Sequence, residues 1–253
     1  MKLKNRKKYF NDGWKDVDIA LVPLKFTVTS AKIRESFIKL IRHNDSIADL
    51  GCGMNGNAKI FQSINPKIIY TGVDFSKIAI NKAKKLNHNI NTHYIVQDVE
   101  KGSFLKNKFS LVFCSQLIEH VKDDNKFISN IFESLKPKGD LLISTVYRKN
   151  GAKYIYKNMY GESVLAPDHI NEYTDVNSLL DKLRKQGFEI IDYDLTLFRY
   201  PIIDVGLKYI MKYFNNQLTF KIINSSLMMA IRYYLVVPIF GFYNFQVIAK
   251  KKA

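Results

Sequence analysis

From residue 46 onward, short apolar runs alternate with stretches of helical periodicity, and this alternation constrains the fold more than any other feature. The first apolar runs are "SIADL" and "IIYTGVD", and the helical stretches that follow them are "GNAKIFQSI" and "SKIAINKAKKL". Strands that alternate with crossover helices form a mostly parallel sheet with helices on both faces. The pattern therefore predicts an α/β fold.

The same alternation continues through the middle of the chain. It predicts strands at "THYIVQD", "FSLVFCSQ" and "GDLLISTVY", and helices at "DNKFISNIFESL" and "VNSLLDKLRKQG". Gly187 closes the last of these helices as a C′ glycine. Ahead of the alternating region, residues 30 to 45 predict a helix that begins after Ser30 as N-cap.

The segment from 201 to 241 breaks this rhythm. Its two apolar stretches, "IIDVGLKYIMKYF" and "FKIINSSLMMAIRYYLVV", have helical spacing, and "FYNFQVIAKKK" after them predicts a final strand. We therefore divide the chain into an N-terminal helical extension (1–45), a core (46–200 plus 242–253) and a helical insert (201–241). The apolar run after Arg232 contains Pro238 and Gly241 and is too short for a membrane span, which needs about 20 apolar residues.

Net charge and cysteine content limit the partners and the cellular compartment that we expect. The net charge of +16 favours anionic partners, namely nucleic acid, an acidic membrane surface or an anionic substrate. The lysines are spread along the whole chain, so we expect nucleic acid less than the others. Two cysteines, Cys52 and Cys114, and a first segment without a secretory-signal pattern predict a cytoplasmic protein.

A glycine-rich loop follows the first strand and has an unusual neighbour. Gly51, Gly53 and Gly56 have the G-x-G-x-x-G spacing of dinucleotide sites, yet Asp49 stands two residues ahead. At ~5 Å its charge would oppose a pyrophosphate by roughly 3 kcal/mol at an effective dielectric near 20. A ligand with positive charge and no phosphate, such as S-adenosylmethionine, fits better. The alternative is a buried strand-end aspartate that bonds loop amides.

Two further acids end the next strands, where ligands bind on open parallel sheets. Asp74 ends the second strand, and an acid there can accept bonds from both hydroxyls of a ribose; it is otherwise an N-cap near Ser76. Asp98 follows the third strand and, with a neighbouring backbone N–H, can contact adenine; it is otherwise a turn residue.

Five stretches in order resemble the motifs of class I S-adenosylmethionine-dependent methyltransferases. They are "ADLGCGMNG", "GVDFS", "VQDVE", "FSLVFCSQLIEHV" and "LKPKGDLLIST", and they run from about residue 47 to 146. One departure is Lys138-Gly139-Asp140, where the family usually has Gly-Gly. The resemblance implies a Rossmann-like seven-stranded sheet whose last strand is antiparallel. It also implies contacts to the cofactor from Asp49, Gly51, Cys52, Gly53, Gly56, Asp74, Phe75, Ser76, Asp98, Val99, Ser115 and Gln116.

A narrower resemblance is to the ubiquinone-biosynthesis-type O-methyltransferases within the methyltransferase type 11 group. It rests on "LIEHVKD", "ISTVYRKNGAKYIY" and "PDHINEYT". It implies methyl transfer to an oxygen of a small-molecule, glycan or lipid-linked acceptor. An RNA or protein methyltransferase that exploits the positive charge is the alternative. An oxidoreductase that uses NAD and a silent scaffold of the same fold are less consistent with Asp49 and the intact motifs.

A neutral hydroxyl acceptor needs a base, and His120 and His169 are the candidates because histidine titrates near neutral pH. Each is otherwise a structural residue, at a helix start and in a loop respectively. Glu119 and Asp123 are four apart and share a helix face if this stretch is helical, where they are candidates for Mg²⁺, as in some relatives of the ubiquinone type. A solvated helix face is the alternative.

The insert has three interpretations. It builds the acceptor pocket as a lid, it contacts an anionic membrane surface, or it forms a homodimer surface. Lys208, Lys212, Lys221 and Arg232 face one nearby acid, Asp204, and this imbalance supports the membrane interpretation.

Overall fold

The computed structural model describes residues 24–54, 57–87, 89–102, 105–154, 156–158, 160–204, 206–207, 210, 222 and 225–253. The first 23 residues of the predicted helical extension lie outside this part of the chain. So do Gly56 and the insert lysines Lys208, Lys212 and Lys221. The division of the chain into extension, core and insert stays a prediction.

A seven-stranded sheet forms the centre of the molecule, in the order β3-β2-β1-β4-β5-β9-β8. Neighbouring strands from β3 to β5 are parallel, and β9 runs antiparallel to both β5 and β8. This confirms the predicted Rossmann-like sheet with an antiparallel last strand. The strands are β1 (Ser46–Leu50), β2 (Ile69–Asp74), β3 (Thr92–Val96), β4 (Phe109–Ser115), β5 (Leu135–Arg148), β8 (Phe188–Pro201) and β9 (Val236–Lys251), with β6 (Tyr156–Lys157) and β7 (Ser163–Val164) paired separately.

The helices begin where capping residues stand in the sequence. The Ser30 side chain accepts a hydrogen bond from the amide of Ile33, and Ser76 does the same for Ala79, as expected of N-caps. Gly187 adopts the left-handed conformation at φ 105°, which suits a residue without Cβ. The helices are α1 (Leu24–Thr27), α2 (Ala31–His43), α3 (Asn57–Ile64), α4 (Lys77–Leu86), α5 (Asp124–Ser134), α6 (Val176–Gln186) and α7 (Ser226–Tyr234), with a 3₁₀ turn at Ile118–His120.

Apolar side chains cover both faces of the sheet. Alternate residues of β1 enter different clusters: Ile47 joins α2 and α3 on one face, and Ala48 joins α5 and α6 on the other. Leu111 and Val112 of β4 divide in the same way. Such two-sided burial is what near-continuous apolar strands predict. The rigid centre of the sheet fixes the strand ends, where the polar side chains lie.

The last two strands extend beyond the sheet centre. β9 begins at Val236, so it starts six residues before the predicted stretch, and residues 236–241 are strand rather than helical insert. β5 ends at Arg148, which pairs with Phe242, and β8 and β9 continue past it as a two-stranded hairpin. Because β8 is parallel to β5, this hairpin projects from the carboxyl edge of the sheet. Among the described helices, none combines the length and hydropathy that crossing a bilayer requires.

Candidate functional site

The carboxyl ends of the central parallel strands open into a cavity of about 540 Å³. This volume lies within the range of small-molecule sites, and strand order reverses between β1 and β4, where such sites form. The opposite wall comes from the loop that precedes α6. The cavity is lined by Gly51, Val73, Asp74, Phe75, Val96, Gln97, Asp98, Val99, Glu100, Lys101, Leu117, Val121, Lys122, Pro167, Asp168, His169 and Ile170.

The loop after β1 turns tightly through its glycines. Gly51 and Gly53 have φ angles of 70° and 55°, in the left-handed region. A Cβ on Gly51 would also lie 3.2 Å from the Leu117 side chain, so close approach adds to the conformational requirement. Cys52 is buried against Gly72 and is not among the lining residues. Gly51 therefore brings bare backbone to the cavity wall.

Asp74 lines the cavity with a fixed carboxylate. Its Oδ2 accepts from the amide of Gly53 at 3.0 Å, and its Oδ1 accepts from the amide of Ser76 at 2.8 Å. Burial raises the pKa of Asp74, against the lowering effect of these two bonds. Ser76 itself caps α4 and does not line the cavity. The structure thus gives Asp74 both a loop-holding role and access to a ligand.

Asp49 lies below the glycine loop and is not among the lining residues. Its Oδ2 accepts from the Tyr70 hydroxyl at 2.6 Å and from the Asn57 amide at 3.0 Å. Burial raises the pKa of Asp49 to about 7. The two hydrogen bonds lower this pKa, and the charge of Asp74 raises it, but burial has the largest effect. Asp49 is thus buried at the end of a strand, and among the described residues its partners are side chains of β2 and α3.

The remaining predicted cofactor residues divide into two groups. Phe75, Asp98 and Val99 line the cavity, and Asp98 also accepts from the amide of Glu100 at 3.1 Å, as a turn residue does. Ser115 and Gln116 are not among the lining residues. They bond instead to neighbouring strands: Ser115 to Ser144 of β5 at 2.9 Å, and Gln116 to Asn244 of β9 at 3.2 Å.

Glu119, His120 and His169 form a cluster beside the cavity, which we call the Glu-His-His cluster. One carboxylate or imidazole atom of each lies within 4.8 Å of the others. The two imidazole rings are 4.9 Å apart, nearly perpendicular. Asp123 does not join them: it caps α5 by accepting from the amide of Lys126. The prediction that Glu119 and Asp123 share a helix face is wrong, because a 3₁₀ turn ends between them.

Hydrogen bonds hold the cluster in place. The loop amides of Ile170 and Asn171 donate to the Glu119 carbonyl at 2.7 and 3.0 Å, which ties the loop to the 3₁₀ turn. The Glu119 Oε2 accepts from the Thr145 hydroxyl at 2.9 Å. Nδ1 of His169 lies 2.7 Å from Oε1 of Glu172. Two distant segments therefore meet at a fixed geometry.

The surroundings of the cluster raise the pKa values of both Glu119 and His169. Burial raises the pKa of Glu119 to about 7, although the charge of His169 lowers it. Burial lowers the pKa of His169, but the bond to Glu172 and the charges of Glu119 and Asp168 outweigh burial and raise it above the ordinary value. Carboxylates thus surround both imidazoles.

Sequence reasoning missed several partners in this region. Tyr70 and Asn57 hold Asp49, Thr145 holds Glu119, and Glu172 holds His169. Glu172 had a usable signal, because it follows His169 by three residues in "PDHINEYT". The others come from elements distant in sequence and carry no local pattern.

The chain matches the model of a known protein family. The methyltransferase domain model matches residues 28–193, more than half of the chain. The chain belongs to this family. The predicted class I S-adenosylmethionine-dependent methyltransferase type is confirmed by this match and by the sheet topology.

The matches to curated relatives include only part of this chain and only part of each relative. The ubiquinone biosynthesis O-methyltransferase of Coxiella burnetii is 34% identical over 133 residues, 50% of this chain and 55% of the relative. The tRNA U34 carboxymethyltransferase of Campylobacter curvus is 31% identical, over 53% of this chain and 42% of that protein. The chain spans about half the length of the curated relatives it matches, or less.

Solved structures share the fold at low identity. The phosphoethanolamine N-methyltransferase 2 of Haemonchus contortus, with phosphomonomethylethanolamine and S-adenosylhomocysteine, has a TM-score of 0.63 and 19% identity, covering 99% of this chain and 59% of that chain. The [4+2]-cyclase SpnF has a TM-score of 0.57 and 15% identity, covering 88% and 82%. Because a cyclase shares this fold, the likeness carries no argument about the reaction.

Proposed function

We propose that the chain binds S-adenosylmethionine in the cavity and transfers its methyl group to an oxygen of a small-molecule, glycan or lipid-linked acceptor. The observation that carries the proposal is the cavity wall, where glycine backbone, the fixed Asp74 carboxylate and Asp98 stand at the ends of three adjacent strands. Family membership supports the reaction, and the O-methyltransferase relative supports an oxygen acceptor.

The lining residues fit the chemistry of this cofactor. The two Asp74 oxygens, each fixed by one amide, retain lone pairs that can accept from the two ribose hydroxyls. Asp98, Glu100 and Asp168 add carboxylates to the wall, against Lys101 and Lys122. An excess of carboxylates suits a sulfonium and an ammonium, and it opposes the pyrophosphate of NAD.

The reaction depends mainly on how the cofactor and the acceptor are positioned. When bound, the cofactor supplies an activated methyl group whose C–S electron pair remains on sulfur. The rigid strand ends and the loop at 165–172 hold the cavity walls, and such positioning can contribute roughly 7 to 11 kcal/mol. His169 lines the cavity, so it is the better placed of the two predicted bases to reach an acceptor hydroxyl. The catalytic roles of His169 and His120 stay predictions.

Calorimetry with S-adenosylmethionine, S-adenosylhomocysteine and NAD tests the binding step. We expect the first two to bind and NAD not to bind; NAD binding alone would overturn the proposal. Transfer of a labelled methyl group is then measured with phenolic small molecules, cell lipids and total tRNA as acceptors. The matched pair Asp74→Asn and Asp181→Asn separates loss of the site from loss of a surface charge.

RNA is the second candidate acceptor. The net charge of +16 and the tRNA-modifying relative favour it. Label in the tRNA fraction, with none in small molecules or lipids, would replace the oxygen-acceptor proposal with this one. Label in a protein fraction would likewise support a protein acceptor.

The projecting hairpin supports a lipid-linked acceptor. Tyr234, the last residue of α7, is 75% exposed, and Phe240 in β9 is 78% exposed. Other large apolar side chains near them, including Leu235 and Val237, are also exposed. The hairpin projects from the same edge of the sheet at which the cavity opens. Exposed apolar patches mark interaction sites, and we extend the proposal to peripheral contact with an anionic membrane, at the cytoplasmic face. Arg232 adds little attraction, because its Nε and Nη2 donate to the Asp204 carboxylate, at 2.7 and 2.9 Å.

Co-sedimentation with vesicles tests the membrane contact. The wild type should bind vesicles that contain anionic lipid at low salt and bind less at high salt. The double variant Tyr234→Ser, Phe240→Ser should lose binding, whereas Ile90→Ser, at a residue 89% exposed and far from the hairpin, should not. Absence of binding at low salt contradicts the contact. A dimer in light scattering that dissociates in the double variant would assign the surface to a homodimer instead.

A further inference from the structure

Gln116 follows the last residue of β4 in a strained backbone conformation. Its φ is 51°, in the left-handed region that residues with a side chain seldom adopt. Asn107 and Lys138 are the other non-glycine residues with positive φ in the described part of the chain, and both are exposed, whereas Gln116 is half-buried. Strain of this kind persists where the surrounding structure imposes it, and it concentrates at functional sites.

Hydrogen bonds to two other strands hold Gln116 in this conformation. Its backbone amide donates to the Ser144 carbonyl of β5 at 3.0 Å. Its side-chain Nε2 donates to Oδ1 of Asn244 in β9 at 3.2 Å. Because β5 lies between β4 and β9, the side chain of Gln116 crosses β5, at the level where Asn244 pairs with Val146.

The hydroxyl of Thr29 determines how these amides are oriented. It accepts from Nδ2 of Asn244 at 3.1 Å and from Nε2 of Gln246 at 2.9 Å, and with both lone pairs used it donates its own proton to Thr196. The nitrogen of Asn244 is therefore bound to Thr29, and its oxygen faces Gln116. Oε1 of Gln116 is left without a hydrogen-bond partner among the described residues. A carbonyl oxygen only accepts, so it suits a ligand that donates an O–H or N–H.

Gln116 and the residues proposed for the cofactor lie on opposite sides of the point where strand order reverses. Asp74 and Asp98 stand at the ends of β2 and β3, whereas Gln116 follows β4 and precedes Leu117, which lines the cavity. The methyl acceptor needs the space opposite the cofactor, so polar groups at the ends of β4 and β5 are placed to contact it. In the same polar network, Oε1 of Gln246 is fully buried without a partner among the described residues, whereas Oε1 of Gln116 stays accessible.

We propose that Gln116 orients the methyl acceptor by accepting a hydrogen bond from one of its O–H or N–H groups, and that Asn244 is the positioning residue that holds the glutamine amide. This assignment rests on the proposed function and names the residue that recognises its acceptor. It removes Gln116 from the cofactor contacts expected from the sequence. A phosphate or carboxylate also only accepts, so Gln116 disfavours an anionic group at this position.

Kinetics of labelled methyl transfer test the assignment with Gln116→Met, which keeps the size of the side chain and removes the hydrogen bonds. The acceptor is whichever of phenolic small molecules, cell lipids and total tRNA takes label from the wild type. The acceptor KM should rise at least about 10-fold, as expected for one lost hydrogen bond, while the Kd for S-adenosylmethionine stays within about 2-fold. Gln62, a half-buried glutamine of α3 that donates to Thr92 at 2.8 Å, supplies the control: Gln62→Met should leave the KM unchanged.

Asn244→Leu tests the positioning role. It should raise the same KM, and the double variant with Gln116→Met should add little, because residues that act as one unit are not additive; additive increases would overturn the role of Asn244. A wild-type KM in Gln116→Met, an equal loss in Gln62→Met, or a Kd for S-adenosylmethionine raised as much as the KM would overturn the role of Gln116. A wild type that binds the cofactor and labels none of the three acceptors would overturn the proposed function itself, and this assignment with it.

Discussion

Replacing Asp49 with asparagine should remove a pH-dependent instability that burial of this carboxylate creates. The side chain is 1% exposed, and its pKa rises from the ordinary 3.8 to about 7. Because the folded-state pKa lies above the unfolded value, the folded protein retains a proton that the unfolded chain releases. This group's contribution to stability is present below pH 3.8 and is lost as the pH rises through about 7.

The magnitude follows from the two pKa values. A difference of about three pH units corresponds to about 4 kcal/mol, at about 1.4 kcal/mol per unit, for the group fully ionised in both states. Between pH 5 and pH 8 the free energy of unfolding of the wild type should therefore fall by about 2 to 3 kcal/mol from this residue alone. The asparagine cannot ionise, but its amide oxygen can still accept from Tyr70.

Urea denaturation at pH 5, 6, 7 and 8, followed by circular dichroism, measures the effect. Glu119, whose pKa is also raised to about 7, titrates in the same range, so the informative quantity is the difference between the variant and the wild type at each pH. This difference should shift by about 2 to 3 kcal/mol in favour of the variant. Asp181→Asn, at a surface carboxylate, is the control. A difference between Asp49→Asn and the wild type that stays constant with pH would refute the reasoning.

Four substitutions separate ligand binding from stability. Asp74→Asn should raise the Kd for S-adenosylmethionine about 10- to 100-fold, because a bond to a charged acceptor contributes roughly 1.5–3 kcal/mol; an unchanged Kd in calorimetry contradicts the ribose assignment. Gly51→Ala should cost about 1–3 kcal/mol of stability, because φ is 70° and the new Cβ would lie 3.2 Å from Leu117. Gly161→Ala, at φ 82° with open space around it, isolates the backbone part in thermal unfolding. Lys251→Met leaves two carbonyl oxygens without the donor now within 2.8 Å and should cost about 1–3 kcal/mol without changing that Kd.

The sequence predicts the strand ends well because periodicity and capping are local. Asp74 and Asp98 reach the cavity wall because each ends or follows a strand whose alternation fixes its position. The start of β9 was not predictable in this way. The residues before Phe242 have the helical spacing of the insert, and only pairing with β8 places them in a strand.

The Glu-His-His cluster could not be predicted from local sequence patterns. A spacing of four residues would place Glu119 and Asp123 on one helix face if the stretch were helical, but Glu119 lies in a 3₁₀ turn and Asp123 is the N-cap of α5. His169 approaches from a loop some 50 residues later, because its neighbours' amides bond the Glu119 carbonyl. No spacing rule predicts contacts between two segments so far apart in the sequence.

Net charge and local charge point in opposite directions in this protein. The chain carries +16, yet three carboxylates at or near the cavity, those of Asp49, Asp74 and Glu119, are buried, and burial raises their pKa values. Burying a charged carboxylate costs free energy, so a cationic group of a ligand would be favoured beside Asp74, which lines the cavity. The exposed lysines act over the outer surface and are screened by salt, whereas these buried groups are not. The surface charge therefore bears on the proposed membrane or nucleic-acid contact, and Asp74 bears on the proposed cofactor site.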